Sequence, residues 1–222
     1  VNVLSLYRDT KGKMWVAAFR QGMYTIENGI SQQFVDEQNF PLSNNDIRCF
    51  VEDDEGSVWI GTVNGLNKID ALGNVSCYKK DTQPGSLKHS SIFSLCKDSQ
   101  GTIWVGTYYG GVQYFNPQGD IFTHYSEGVG RKDCLSFFFV GNMVEDKRGD
   151  VWICTEGGGL NYLHRDSRQF THYLTDEKSV SPLFSNLKCI EYDEGRDYLY
   201  IGTHKQGFFC FDITARKAVS YT

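Results

Sequence analysis

Eight residues of this 222-residue chain carry the chemistry of a ligand-binding rim: Phe19, Arg20, Asn64, Tyr108, Tyr109, Glu156, His204 and Lys205. Internal comparison finds them. Each lies at the fifth or sixth position counted from an aromatic residue (Trp15, Trp59, Trp104, Trp152 or Tyr200) that recurs in the same short phrase. The frame is held while the pair changes, through Phe-Arg, Val-Asn, Tyr-Tyr, Glu-Gly and His-Lys. Positions that agree across repeats read as scaffold. Positions that share a place but differ in chemistry read as function. Aromatic rings accept the apolar face of a sugar, and the polar side chains exchange hydrogen bonds with its hydroxyls. The combination suits a sugar or an acidic sugar, although the same residues also fit ordinary solvated loop positions.

Other candidate chemistry is thinner. Glu156 is the one carboxylate in this column, whereas glycoside hydrolysis wants two at roughly 5–10 Å; no catalytic residue is assigned. A lyase using His204 with Glu156 stays open, because the two repeats are neighbours. His124 and His172 recur in Phe-Thr-His-Tyr, but on outermost strands, too far apart for the ~2 Å bonds of a shared metal. No Cys-x-x-Cys or Cys/His ligand spacing occurs, so neither a metal nor a cofactor is expected. The run Phe137-Phe138-Phe139 reads as the start of a buried strand rather than a stacking platform.

The elements that must position these residues follow from the period. The aromatics are spaced by 44, 45, 48 and 48 residues. Four of them close phrases that begin with Asp and carry Gly three later: residues 9–15, 53–59, 98–104 and 146–152. The fifth, residues 193–200, has one extra residue and Tyr in the place of Trp. A period in the forties marks one supersecondary unit copied five times. Each copy holds four short runs rich in aromatic and β-branched residues, parted by Gly, Asn and Asp, which read as four strands. The Asp can bond amides of its own turn and the Gly supplies positive φ, so Asp-x-x-Gly is hairpin chemistry; Gly22, Gly65, Gly111, Gly159 and Gly207 serve the next turn. The fold class is all-β, a β-propeller of four-stranded antiparallel blades with five repeats present, at about 1–40, 41–84, 85–132, 133–180 and 181–222. The Trp residues are expected to pack blade on blade.

Composition narrows the function. The net charge is −5 with both signs scattered, so no basic patch argues for nucleic acid. No apolar run reaches the 18 or so residues of a membrane helix. Seven cysteines are an odd number. Cys49 and Cys189 take a position that holds Ser5, Ser94 and Asn142 elsewhere, and Cys154 replaces a repeat Gly; buried free thiols are expected there. The count favours a reducing compartment.

The phrase Asp-x-x-Gly-x-[Ile/Val/Met]-Trp-[Ile/Val]-Gly-Thr, with the linker-like residues 43–47 and 81–87, resembles the two-component-regulator propeller repeat over essentially the whole chain. The resemblance implies the periplasmic sensor half of a hybrid two-component histidine kinase, which detects an oligosaccharide, signals as a homodimer, and reaches the membrane only through regions outside this chain. It also implies seven blades, so that the five here either belong to a longer propeller or close by themselves. Repeat 1 departs with Ala17-Ala18 for Gly-Thr. The alternatives are a propeller enzyme acting on glycans and an interaction or dimerisation scaffold. Against the first, the Asp of a sialidase box precedes its Trp by five residues, and here it precedes by six.

Overall fold

The computed structural model describes residues 2–35, 41–119, 121–128, 131–175 and 185–221. The expected repeat boundaries at 40, 180 and 181 lie outside them. Among the described residues there are twenty strands and no helix. They form five four-stranded antiparallel sheets, each in simple chain order. The first holds β1 (Val3–Arg8), β2 (Met14–Ala18), β3 (Gly22–Glu27) and β4 (Ile30–Val35). The second holds β5 (Ile47–Glu52), β6 (Val58–Thr62), β7 (Gly65–Ile69) and β8 (Val75–Tyr78). The third holds β9 (Ile92–Lys97), β10 (Ile103–Thr107), β11 (Val112–Phe115) and β12 (Thr123–Tyr125). The fourth holds β13 (Val140–Glu145), β14 (Val151–Thr155), β15 (Gly159–His164) and β16 (Gln169–Tyr173). The fifth holds β17 (Leu187–Asp193), β18 (Tyr198–Thr203), β19 (Phe208–Asp212) and β20 (Lys217–Tyr221).

The Asp of the phrase does more than turn a hairpin. One oxygen accepts the amide four residues on, at 2.8 Å from Lys13 to Asp9, 2.8 Å from Ser57 to Asp53 and 2.9 Å from Thr102 to Asp98. The other accepts the indole N–H of the phrase's own Trp, at 2.9, 2.9, 2.7 and 3.0 Å in the first four blades. A buried indole N–H needs such a partner, and one carboxylate serves hairpin and core together. In the fifth blade Tyr200 Oη stands 3.4 Å from Asp193 and takes a bond from Arg196 at 3.0 Å. There the extra residue moves the left-handed turn position to Asp197, φ 58°.

The chain divides into two compact units, residues 1–108 with 113–123, and residues 109–112 with 124–222. In the first, Trp15 and Ala17 pack with Ile47, Phe50 and Ile60 of the second blade, and Trp59 and Leu66 pack with Ile92, Val105 and Phe115 of the third. In the second unit, Trp152 and Leu160 pack with Ile190, Ile201 and Phe211 of the fifth blade. Each of these Trp residues is thus the blade-to-blade contact that the repeat predicts. Burying an indole contributes about 4–6 kcal/mol as an upper estimate. Inner strands β1, β5 and β9 neighbour one another in the first unit, as do β13 and β17 in the second.

Candidate ligand-binding site

Two backbone features repeat in all five blades and place the variable residues. First, the amide at the loop's fifth position donates to the carbonyl just before the blade's innermost strand: Phe19 to Asn2, Val63 to Asp46, Tyr108 to Ser91, Glu156 to Phe139 and His204 to Asn186, at 2.8–3.1 Å. The loop from second to third strand is thereby pinned to the long connection between blades. Second, every innermost strand carries a β-bulge after its first residue. A bulge leaves one residue unpaired and re-aims its side chain. The residue after the first is Leu4, Arg48, Phe93, Gly141 or Lys188, a column as variable as the loop pair and beside it. Arg20 (φ 56°) and Lys205 (φ 69°) hold left-handed backbone at the sixth loop position, a costly conformation for residues with a Cβ.

In the first unit the Arg48 guanidinium lies 5.5 Å from the Phe93 ring centroid and bonds Ser91 Oγ at 3.2 Å. Phe93 in turn meets Tyr108 at 6.5 Å. Arg20 covers the ring of its own neighbour Phe19, at 5.0 Å, and Asn64 is exposed. The connection is anchored by amide side chains of third strands: Asn67 accepts from Ser43 N at 2.7 Å and Gln113 from Lys88 N at 2.8 Å.

In the second unit Tyr109, 59% exposed, stacks on Phe138 with centroids 5.7 Å apart, and Phe138 stacks on Phe137 at 4.3 Å. A cavity of about 380 Å³ opens beside them, lined by Tyr109, Gly110, His124, Glu127 and Phe138 among others. Tyr109 also meets Phe139 edge-on at 6.0 Å. Lys188 lies 5.8 Å from the Phe139 centroid and is paired with Glu156. The structure therefore joins Tyr109 and Glu156 through residues absent from the sequence-derived set. His204 and Lys205 are exposed on the fifth blade's loop. Glu156 is paired with Lys188 of the fifth blade's inner strand.

Two expectations need correction. Phe137, Phe138 and Phe139 precede β13 and are half-buried, not the start of a buried strand; Gly157 and Gly158 lie against Phe137, where a Cβ would crowd, and leave room for the run to stay at the surface. Cys49 is half-buried and Cys189 exposed. Each sulfur lies against a Gly of the adjacent strand, but Gly61 also meets Ile92 of the next blade whereas Gly202 meets Cys189 alone. Burial pushes the Cys49 thiol up to about 12. His172 is half-buried, its Nε2 at 2.9 Å from the carbonyl of Cys134; His124 is exposed, at 2.5 Å from the carbonyl of Gly110. Among the described residues no His, Cys, Asp and Glu group could hold a metal.

The signal for the missed residues lay in the same internal comparison. Leu4, Arg48, Phe93, Gly141 and Lys188 differ at one repeat position inside otherwise apolar strands.

Comparison with known proteins places this frame. The two-component regulator propeller model matches residues 41–64 and 86–109. No curated protein matches the chain in sequence. An extracellular domain assigned to the hybrid two component system BT3049 of B. thetaiotaomicron superposes with a TM-score of 0.81 at 23% identity, over 98% of this chain and 29% of that one. That of BT4673 from the same organism gives 0.78 at 22%, over 100% and 31%. The chain thus spans about a third of the length of these relatives. Virginiamycin B lyase of Staphylococcus aureus gives 0.75 at 13%, over 100% and 70%. The matched segments fall in the second and third blades, and the five blades share the β-propeller fold of those receptor domains.

Proposed function

We propose that this chain is the ligand-binding part of an extracytoplasmic sensor in a hybrid two-component receptor, and that it detects an oligosaccharide released from a glycan. One observation supports the binding role above others: a fixed backbone device, loop bond plus bulge, presents a different side chain in each blade. Tyr109 on Phe138 offers an exposed ring face suited to a sugar, and Glu156 with Lys188 offers paired acceptor and donor beside it. In this reading the segment itself catalyses nothing and works in the periplasm. The receptor signals as a homodimer, with the ligand favouring one dimer arrangement over another, since equal affinity for both shifts nothing. In this reading the propeller has the seven blades that the family resemblance implies.

Calorimetric titration of the protein against plant, host and microbial oligosaccharides tests the proposal. Micromolar binding without cleavage is expected. Binding by no member of the panel would remove the sensor role from this segment, and release of cleaved product would replace it with an enzyme.

A further inference from the structure

Resting on that reading, we infer that the second unit's site takes a neutral sugar and rejects its uronic acid counterpart, because the site's cation is already matched. Lys188 is aimed by the β17 bulge over Phe139 and bonded to Glu156. The pair is partly withdrawn from water, with side chains 31% and 12% exposed, so screening between charges there is weak.

A carboxylate entering this site has two choices. It can share the Lys188 ammonium with Glu156, which sets two like charges around one cation. It can displace Glu156, which strands that carboxylate in a half-buried place without its partner. Both are unfavourable. A neutral pyranose meets no such conflict. The ammonium has N–H groups to donate to one ring hydroxyl, and the carboxylate keeps a lone pair to accept from the adjacent one. A vicinal diol therefore bridges the ion pair without breaking it. The next sugar along the chain has the Tyr109–Phe138 stack for its apolar face, and Phe139 joins the two subsites, in contact with Tyr109 on one side and Lys188 on the other. Lys205 stands exposed on the neighbouring loop and adds a charge in water rather than one held against an aromatic wall.

Matched pairs of oligosaccharides test this, each pair alike in stereochemistry and different in the carboxylate: galactan with galacturonan, glucan with glucuronan, and mannan with mannuronan fragments. For the unmodified protein, a neutral member should bind with its uronate partner at least about tenfold weaker, the loss of one charge-assisted hydrogen bond. Glu156→Gln keeps the shape and frees the Lys188 charge, so the preference should narrow or reverse by about 10- to 100-fold. Lys188→Met should weaken the neutral sugar by about tenfold. Tighter binding of a uronate by the unmodified protein overturns the inference and leaves the sensor reading standing. So does a neutral-to-uronate ratio that Glu156→Gln does not move while its thermal unfolding is unchanged. Binding by neither member of any pair sinks both.

Discussion

Arg48 and Lys188 occupy the same bulged position of β5 and β17, yet they sit in opposite electrostatic settings. Arg48 leans on Phe93 and bonds the hydroxyl of Ser91. Lys188 leans on Phe139 and is neutralised by Glu156. Strand and bulge are held, but the neighbours differ: Arg48 meets a ring of the third blade, the next one along, whereas Lys188 meets a ring and a carboxylate of the fourth, the one before it. In the blade before Arg48 the fifth loop position is Phe19, and in the blade before Lys188 it is Glu156. The lesson is a division of labour within a repeat. The Asp–Trp frame sets where side chains stand, and two variable columns set what the site attracts. Arg48 is suited to an acidic group, and the Lys188 pair to a neutral one.

If the frame is common to both regions, breaking it should hurt each equally, and this is the largest effect expected. Asp53→Ala removes the acceptor of the Trp59 indole and of the Ser57 amide. Asp146→Ala does the same to Trp152 and the Arg148 amide. Stranding a buried indole N–H and turn amides costs about 3–5 kcal/mol, or roughly 10 °C in Tm for a chain of this size. Thermal unfolding followed by calorimetry should show similar losses. A severe loss in one and a mild loss in the other would mean that the blades do not share one frame.

The payload columns should instead respond unequally. Lys188→Met leaves the Glu156 carboxylate half-buried without its cation, and should destabilise by about 1–2 kcal/mol after allowance for the exposure of Lys188. Arg48→Met gives up a cation–π contact and a bond to a hydroxyl that water can replace, for about 0.5–1 kcal/mol. Chemical denaturation of the two variants measures the gap. Equal costs would erase the electrostatic contrast between the sites.

Much of this was legible in the sequence. The Asp and Trp of each phrase announced the hairpin and the interblade contact, and the glycines named for the next turn do hold positive φ in all five blades. The loop pairs were found by comparing repeats with one another. What escaped was set by backbone pairing and by neighbours. A bulge leaves no mark on the alternation of a short apolar strand, so Arg48, Phe93 and Lys188 looked like strand residues. Three consecutive Phe residues next to a strand suggested burial, but Gly157 and Gly158 and the exposed ring of Tyr109 are what decide their setting. The second oxygen of the Asp was also invisible, because spacing alone does not say that the indole folds back on it.

The smallest effect concerns stability hardly at all and reports on cover by the next blade. Cys49 and Cys189 hold the same repeat position, four residues before the Asp. Cys49 faces a Gly that Ile92 of the next blade also reaches, while the Gly opposite Cys189 meets that sulfur alone. With its thiol pushed up to about 12 by burial, Cys49 has roughly one thiolate in 10⁴ at pH 8. The thiolate is the nucleophile, so iodoacetamide at that pH should label exposed Cys189 and spare Cys49, as peptide mass spectrometry would show. Because the shift is upward, residual labelling of Cys49 should grow about tenfold for each pH unit below 12 while the chain stays folded. Equal rates at the two positions in folded protein would mean that Ile92 does not cover Cys49, and that the second and third blades are packed less closely than their shared core implies.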